Sequence, residues 1–199
     1  CSSDLADRVV ASVFVNPTQF APHEDFETYP RTEASDAAAL TAEGCDLMYA
    51  PSADAMYVPG FATTVSVQGV SGPLDGQARP HFFGGVATVV AKLLIQCAPD
   101  MAIFGEKDYQ QLQVIKRMVA DLDLPVRIIG APTARAEDGL ALSSRNAYLT
   151  PDQRQIAGKL NKIMAAAAEQ VAEGGWVQTA EADGQKALLA AGFDKIDYF

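Results

Sequence analysis

Histidine and cysteine are scarce, with two and three residues among 199. The cysteines Cys1, Cys45 and Cys97 stand far apart, leave one unpaired in any scheme and lack the paired spacing of a zinc site. That excludes a disulfide scaffold and favours reduced thiols. His23 and His81 are also distant from each other, and no Gly-x-Ser-x-Gly occurs, so a hydrolase triad has little to build on. His23 adjoins Glu24 and Asp25, but one histidine beside two acids lacks metal-ligand spacing and reads as a solvated loop. Basic charge is short as well: 15 Lys and Arg against 25 Asp and Glu leave a formal net charge of -10. No general attraction draws such a chain to nucleic acid or anionic lipid, and neither is expected as a partner. Long apolar runs are missing: none approaches the roughly 20 residues that span a bilayer, and Cys1-Ser2-Ser3-Asp4 has neither the basic start nor the apolar core of an export signal. The expected location is cytoplasmic. The side chains left for chemistry are Lys, Asp, Gln, Ser and Arg.

What is present is an ordinary globular composition, 49% apolar and 20% charged, with strand and helix signals in alternation. Val9 to Val15 is short, β-branched and apolar, as expected of a central parallel strand covered on both faces. Thr32 to Glu43 is Ala-rich and runs into Gly44, a natural helix terminator, before the apolar segment Asp46 to Ala50. Pro51 to Gly60 and Gly69 to Pro80 read as loops, with a β-prone stretch, Thr63 to Val67, between them. From Phe83 to Cys97 apolar residues recur at three- and four-residue steps on one helix face, and Pro99 ends the run. Met101 to Phe104 reads as a buried strand ending at Gly105, Tyr109 to Leu122 as a helix, and Val126 to Ile129 as a further strand. The rhythm predicts an α/β fold, a largely parallel sheet with helices on both faces and ligands beyond the carboxyl ends of the strands. The texture changes after Ala131-Pro132, so we place a domain boundary near residue 133. Beyond it a polar loop runs to Asn146. Thr150-Pro151 starts an Ala-rich helix reaching about Glu173, Gly174-Gly175 turns the chain into a second helix to about Ala191, and Ile196 to Phe199 looks like a strand.

Three stretches could carry chemistry. In Phe104-Gly105-Glu106-Lys107-Asp108-Tyr109-Gln110-Gln111 a strand gives way to glycine and then to polar groups opening a helix. Free N–H groups there and the mobile charge of Lys107 suit a nucleotide phosphate, although an isolated Lys-Asp pair also suits a merely solvated helix start. In Asp138-Gly139-Leu140-Ala141-Leu142-Ser143-Ser144-Arg145-Asn146, two hydroxyls and a guanidinium fork match phosphate oxygens, or serve only turn chemistry. In Asn16-Pro17-Thr18-Gln19-Phe20, at the end of the first strand, amide side chains could fix a small polar substrate, or the Asn-Pro pair could mark a turn alone. Arg79 in the Leu74 to Pro80 loop is a possible carboxylate partner, with a plain surface arginine as the default.

Together these stretches, with Tyr29-Pro30-Arg31 and Phe83 to Leu94, resemble the pantothenate synthetase (pantoate:beta-alanine ligase) family over essentially the whole chain. The resemblance implies a Rossmann-like parallel sheet of the nucleotidyltransferase type over residues 1–133 and a smaller α+β lid and partner domain starting within 134–199. It implies ATP and Mg2+ as cofactors, pantoate and beta-alanine as substrates, and a homodimer, for which Thr63 to Val67 could be contact surface. ATP would adenylate the pantoate carboxylate, and beta-alanine would then displace AMP. By the same resemblance, Gln19 and Gln111 look like the pair that holds pantoate, with Val89 and Val90 as its apolar wall. Gly105, Lys107 and Asp108 resemble the ATP-binding turn, to which Gln111 also belongs, the lysine on phosphate and the aspartate on ribose. Ser143, Ser144 and Arg145 look like a second phosphate grip, acting with Lys107 as the catalytic set.

The chain departs from the family pattern in several places. The family's His-x-Gly-His turn, and the first strand before it, have no equivalent here, and the family's second domain continues beyond Phe199. The expectation is therefore a polypeptide truncated at both ends. Phe82 stands where many members have histidine, and Asp36 alone represents an acidic helix that in some relatives helps hold magnesium, so no direct protein ligand to the metal is expected. Two other readings compete with the ligase: a catalytically inactive nucleotide-binding fragment, and a related nucleotidyltransferase acting on another small carboxylate or a phosphate ester. The neutral pair Gln19 and Gln111 favours a hydroxy acid over a phosphorylated substrate.

Overall fold

The computed structural model describes residues 6–21 and 24–199, in two units, Cys1–Ala131 and Pro132–Phe199. His23, read above as part of a solvated loop, lies outside the described residues, as does Cys1. In the first unit, β1 (Val10–Ser12) pairs in parallel with β2 (Leu47–Tyr49), Val10 opposite Leu47. Parallel strands need a crossover, supplied here by α1 (Glu33–Ala42). The helix stops where glycine allows it: Gly44 takes φ +75°, and the Cys45 N–H donates back to the Leu40 carbonyl at 2.9 Å, a Schellman-type ending. Asp46 then ties the pair together, its carboxylate accepting from the Val9 N–H and from Arg8, each at 2.8 Å. Those two donors, the backbone one first, hold its carboxyl below the usual carboxylate range.

Two short helices follow, α2 (Ala53–Met56) and α3 (Asp75–Ala78), in stretches whose composition reads as loop. The Ser52 hydroxyl caps α2 by accepting the Ala55 N–H, and this one turn places Met56 in the core with no exposed surface. Thr63 to Val67 forms no ladder; it is anchored by the Val65 N–H on the Thr88 hydroxyl at 2.9 Å. The long helix α4 (Phe82–Cys97) differs from its predicted one-sided burial. From Gly85 to Ala91 every residue is buried, because this helix is surrounded rather than laid on a surface. It packs against α5 (Tyr109–Asp121), whose Leu112, Val114, Ile115 and Met118 are almost wholly buried. The crossover α5 joins β3 (Met101–Gly105) to β4 (Arg127–Ala131), again parallel, Met101 opposite Arg127.

The two strand pairs are separate among the described residues, which corrects two expectations. The strand read from Val9 to Val15 as covered on both faces is a strand only from Val10 to Ser12, and Val10 is 46% exposed. The strand read as buried, Met101 to Phe104, leaves Ile103 43% exposed. The cause is common to both. β1 and β3 each pair on one edge only, and both line a cavity of about 610 Å³ whose walls include Val10, Ser12, Val90, Leu94, Ile103 and Phe104.

The second unit is helical: α6 (Pro151–Ala157), α7 (Leu160–Ala172) and α8 (Val177–Ala191). The β structure among its described residues is one antiparallel bridge, Arg135 to Ala141, and Ile196 to Phe199, read as a strand, forms no ladder. Thr150 and Gln153 form a reciprocal capping box at the start of α6, with Pro151 in its first turn, as the sequence predicts. The single Ala-rich helix expected to about Glu173 is two helices, broken at Gly158-Lys159. Gly158 is where the Asp138 carboxylate approaches so closely that a Cβ would collide with it.

Candidate active site

In the first unit the candidate residues sit on the turn after β1, on α4, and on the turn after β3 with the start of α5. After β1 the chain enters a 3-10 turn, Pro17–Gln19, capped by the Asn16 side chain, with proline at its first position. Asn16 is 2% exposed, so its amide must be satisfied internally. Its Oδ1 accepts from the Tyr57 hydroxyl at 2.7 Å, the Thr18 hydroxyl at 3.0 Å and the Thr18 N–H at 3.3 Å. Its Nδ2 donates to the Gly85 carbonyl at 3.2 Å and to Gln19 Oε1 at 3.3 Å. Gly85 is what lets this turn lie against α4: a Cβ there would stand 2.6 Å from the Thr18 carbonyl oxygen. One helical turn onward, on the same face, is Val89. The turn bearing Gln19 and the helix bearing Val89 and Val90 are thus in direct contact. The two valines are core residues, only 5% and 8% exposed.

After β3, Gly105 leads into a 3-10 turn, Glu106–Asp108, and then into α5. A Cβ on Gly105 would meet nothing within 4 Å, so open space adjoins the carboxyl end of the strand. Lys107 is exposed and pairs with its neighbour, Nζ to Asp108 Oδ1 at 3.1 Å. Gln111 is half-buried in the first turn of α5, and its amide makes no hydrogen bond among the described residues. The preceding side chain, Gln110, does: its Nε2 donates to the carbonyls of Pro73 at 2.7 Å and Val70 at 3.0 Å, and its Oε1 accepts the Asp75 N–H at 3.2 Å. This clasp holds the 69–78 loop, including Leu74 at φ +53°, against the start of α5. Arg79, at the end of that loop, lies 3.9 Å over the Phe82 ring and pairs with Asp75 at 3.1 Å. Its charge is therefore engaged, and the aromatic at position 82 is the platform for it.

Ser143, Ser144 and Arg145 belong to the second unit, at the start of a 3-10 turn, Ser144–Tyr148, where the Ser143 hydroxyl accepts the Arg145 N–H. The loop leading to them is pinned by Asp138, which holds both Arg154 guanidinium nitrogens, Nη2 to Oδ1 at 3.1 Å. Arg154 first, and then the Leu140 N–H, lower the Asp138 carboxyl from the usual 3.8 to about 2. Among the described residues no three His, Cys, Asp or Glu groups assemble as a metal site. Asp36 is held by the Thr32 hydroxyl at 3.1 Å. Cys45 and Cys97 are free thiols, and burial raises the Cys97 thiol. No described helix is long and apolar enough to cross a membrane.

Sequence reasoning found the two turns but missed the groups that hold them. Tyr57, Gly85 and Gln110 have no local signature of their roles. Only the proximity of Gln110 to Gln111 in a helix start could have drawn attention to it.

Parallel strands joined through helices, with polar turns at the carboxyl ends of the strands, define an α/β fold that presents its ligand site at those ends. The family model for pantoate-beta-alanine ligase matches residues 2–199. The chain is 66% identical to pantothenate synthetase of Caulobacter vibrioides, over 97% of this chain and 68% of the relative. It is 59% identical to that of Paramagnetospirillum magneticum, over 98% and 69% respectively. The crystal structure of pantothenate synthetase from Thermus thermophilus superposes with a TM-score of 0.94 at 49% identity, covering 99% of this chain and 72% of that one. The ligase of Francisella tularensis, complexed with beta-gamma ATP and beta-alanine, gives a TM-score of 0.78 at 38% identity, covering 82% and 63%. This chain belongs to the pantoate-beta-alanine ligase family.

Proposed function

We propose that the chain carries out the ATP-dependent condensation of pantoate with beta-alanine. The first unit handles pantoate and the nucleotide. The observation that carries this reading is the carboxyl end of β3, where Gly105 leaves open space, Lys107 is exposed and the Gln111 amide is unengaged. In the first step the pantoate carboxylate attacks the α-phosphorus of ATP, a P–O bond forms, and pyrophosphate leaves. In the second, the beta-alanine amine attacks the acyl carbon, loses a proton, and AMP departs.

The first step brings two anions together, so fixed donors and positive charge must offset their repulsion. Gln19 and Gln111 hold the hydroxyls and carboxylate of pantoate, against α4 at Val89 and Val90. Lys107 releases Asp108 and takes phosphate, while Asp108 turns to ribose and Gly105 allows the nucleotide close. Ser143, Ser144 and Arg145 form a phosphate-binding turn of the second unit. Magnesium, entering with the nucleotide, would supply positive charge against the phosphates. The enzyme is cytoplasmic and homodimeric.

The test is pantoate-dependent exchange of labelled pyrophosphate into ATP by the full-length enzyme. Lys107→Ala and Gln111→Ala should each abolish it while leaving the fold intact by circular dichroism. Normal exchange in both would overturn the assignment.

A further inference from the structure

Two backbone groups beside Asn16 cannot change their hydrogen-bonding character: the Thr18 N–H only donates and the Gly85 carbonyl only accepts. The first lies 3.3 Å from Asn16 Oδ1 and the second 3.2 Å from Asn16 Nδ2. The amide of Asn16 is thereby fixed in one orientation, and a buried amide turned the other way would face a donor with a donor and an acceptor with an acceptor. Its oxygen is locked further by two hydroxyl donors, Tyr57 at 2.7 Å and Thr18 at 3.0 Å. The consequence passes outward. The remaining Asn16 N–H points to Gln19, which must answer with its oxygen, Oε1 at 3.3 Å. Gln19 Nε2 is then the end left without a partner among the described residues.

We propose that Tyr57 is a positioning residue for substrate recognition: its hydroxyl holds Asn16 in the orientation that the Thr18 N–H and the Gly85 carbonyl set, and so keeps the Gln19 amide turned to offer N–H donors to an oxygen acceptor of the substrate, a carboxylate or hydroxyl oxygen. Tyr57 itself touches no substrate. Its ring packs against Phe14 and Phe61, 6.4 and 5.2 Å between centroids, and this packing survives removal of the hydroxyl alone. The inference rests on the reading of Gln19 as a pantoate contact.

The test is steady-state kinetics of the full-length enzyme. Tyr57→Phe is expected to raise KM for pantoate by roughly two- to tenfold, the range for one uncharged hydrogen bond, with KM for ATP and kcat little changed. A general loosening of the fold would move all three. Thr18→Val, which removes the other hydroxyl on the same oxygen, should shift pantoate KM in the same direction, and carries the test if Tyr57→Phe does not fold. In the Gln19→Ala background the Tyr57→Phe effect should vanish. An unchanged pantoate KM in the folded variants, or an effect that persists in full without Gln19, overturns the relay. If Gln19→Ala alone leaves pantoate KM unchanged, the reading of Gln19 as a substrate contact fails, and the relay with it.

Discussion

Adding one methyl group at Gly85 tests how closely the Gln19 turn is docked on α4. The new Cβ would stand 2.6 Å from the Thr18 carbonyl oxygen, 2.8 Å from its carbon and 2.9 Å from the Gln19 nitrogen, all backbone atoms. None of these can step aside by rotating a side chain, so the turn or the helix must move. Overpacking of this kind costs about 1–3 kcal/mol, offset by about 1 kcal/mol of helix propensity gained on replacing glycine. Gly84 provides the control. The same methyl there meets only the Thr64 methyl, at 4.0 Å, so Gly84→Ala keeps the propensity gain without the collision. Subtracting one from the other cancels propensity and leaves the clash, a separation of about 1–3 kcal/mol, or roughly 2–12 °C in Tm for a chain of this size. Thermal denaturation followed by circular dichroism reads the difference. Pantoate KM reads its second consequence, since displacing Gly85 strains the bond from Asn16 and with it the seat of Gln19. Equal midpoints for the two variants, with unchanged pantoate KM in Gly85→Ala, would refute the close approach.

Other perturbations probe different parts. Met56→Ala should destabilise by about 2–5 kcal/mol, as for a fully buried methionine, in chemical denaturation; a cost below about 1 kcal/mol would mean that the one-turn helix α2 does not seat it in the core. Gln110→Ala should speed proteolytic cleavage within residues 69–78, because three bonds restraining that loop disappear and Leu74 can leave its left-handed backbone; cleavage at the wild-type rate would exclude the clasp. For Asp138, whose carboxyl is lowered from 3.8 to about 2 in the folded chain, the contribution to stability is complete above about pH 4 and is lost as pH falls through about 2. The Tm difference between wild type and Asp138→Asn should therefore shrink over that window, and a difference constant from pH 6 to pH 2 would count against the Arg154 pairing.

Features written in short-range pattern were legible in the sequence. The termination of α1 at Gly44, the capping box at Thr150 and the start of α5 after Gly105 depend on residues within a few positions of one another, and local chemistry decides them. The turns carrying Gln19 and Lys107 were visible for the same reason. Burial was not: the apolar run around β1 and the one at β3 satisfy the pattern of a covered strand, yet coverage depends on which edges and faces other elements reach. Nor were the groups that orient the site. Tyr57 reaches Asn16 across 41 positions and Gln110 reaches Val70 across 40, and at such separations neither period nor propensity carries a signal. The requirement for glycine at position 158 was not legible either, since it comes from a carboxylate twenty residues earlier in the chain, at Asp138.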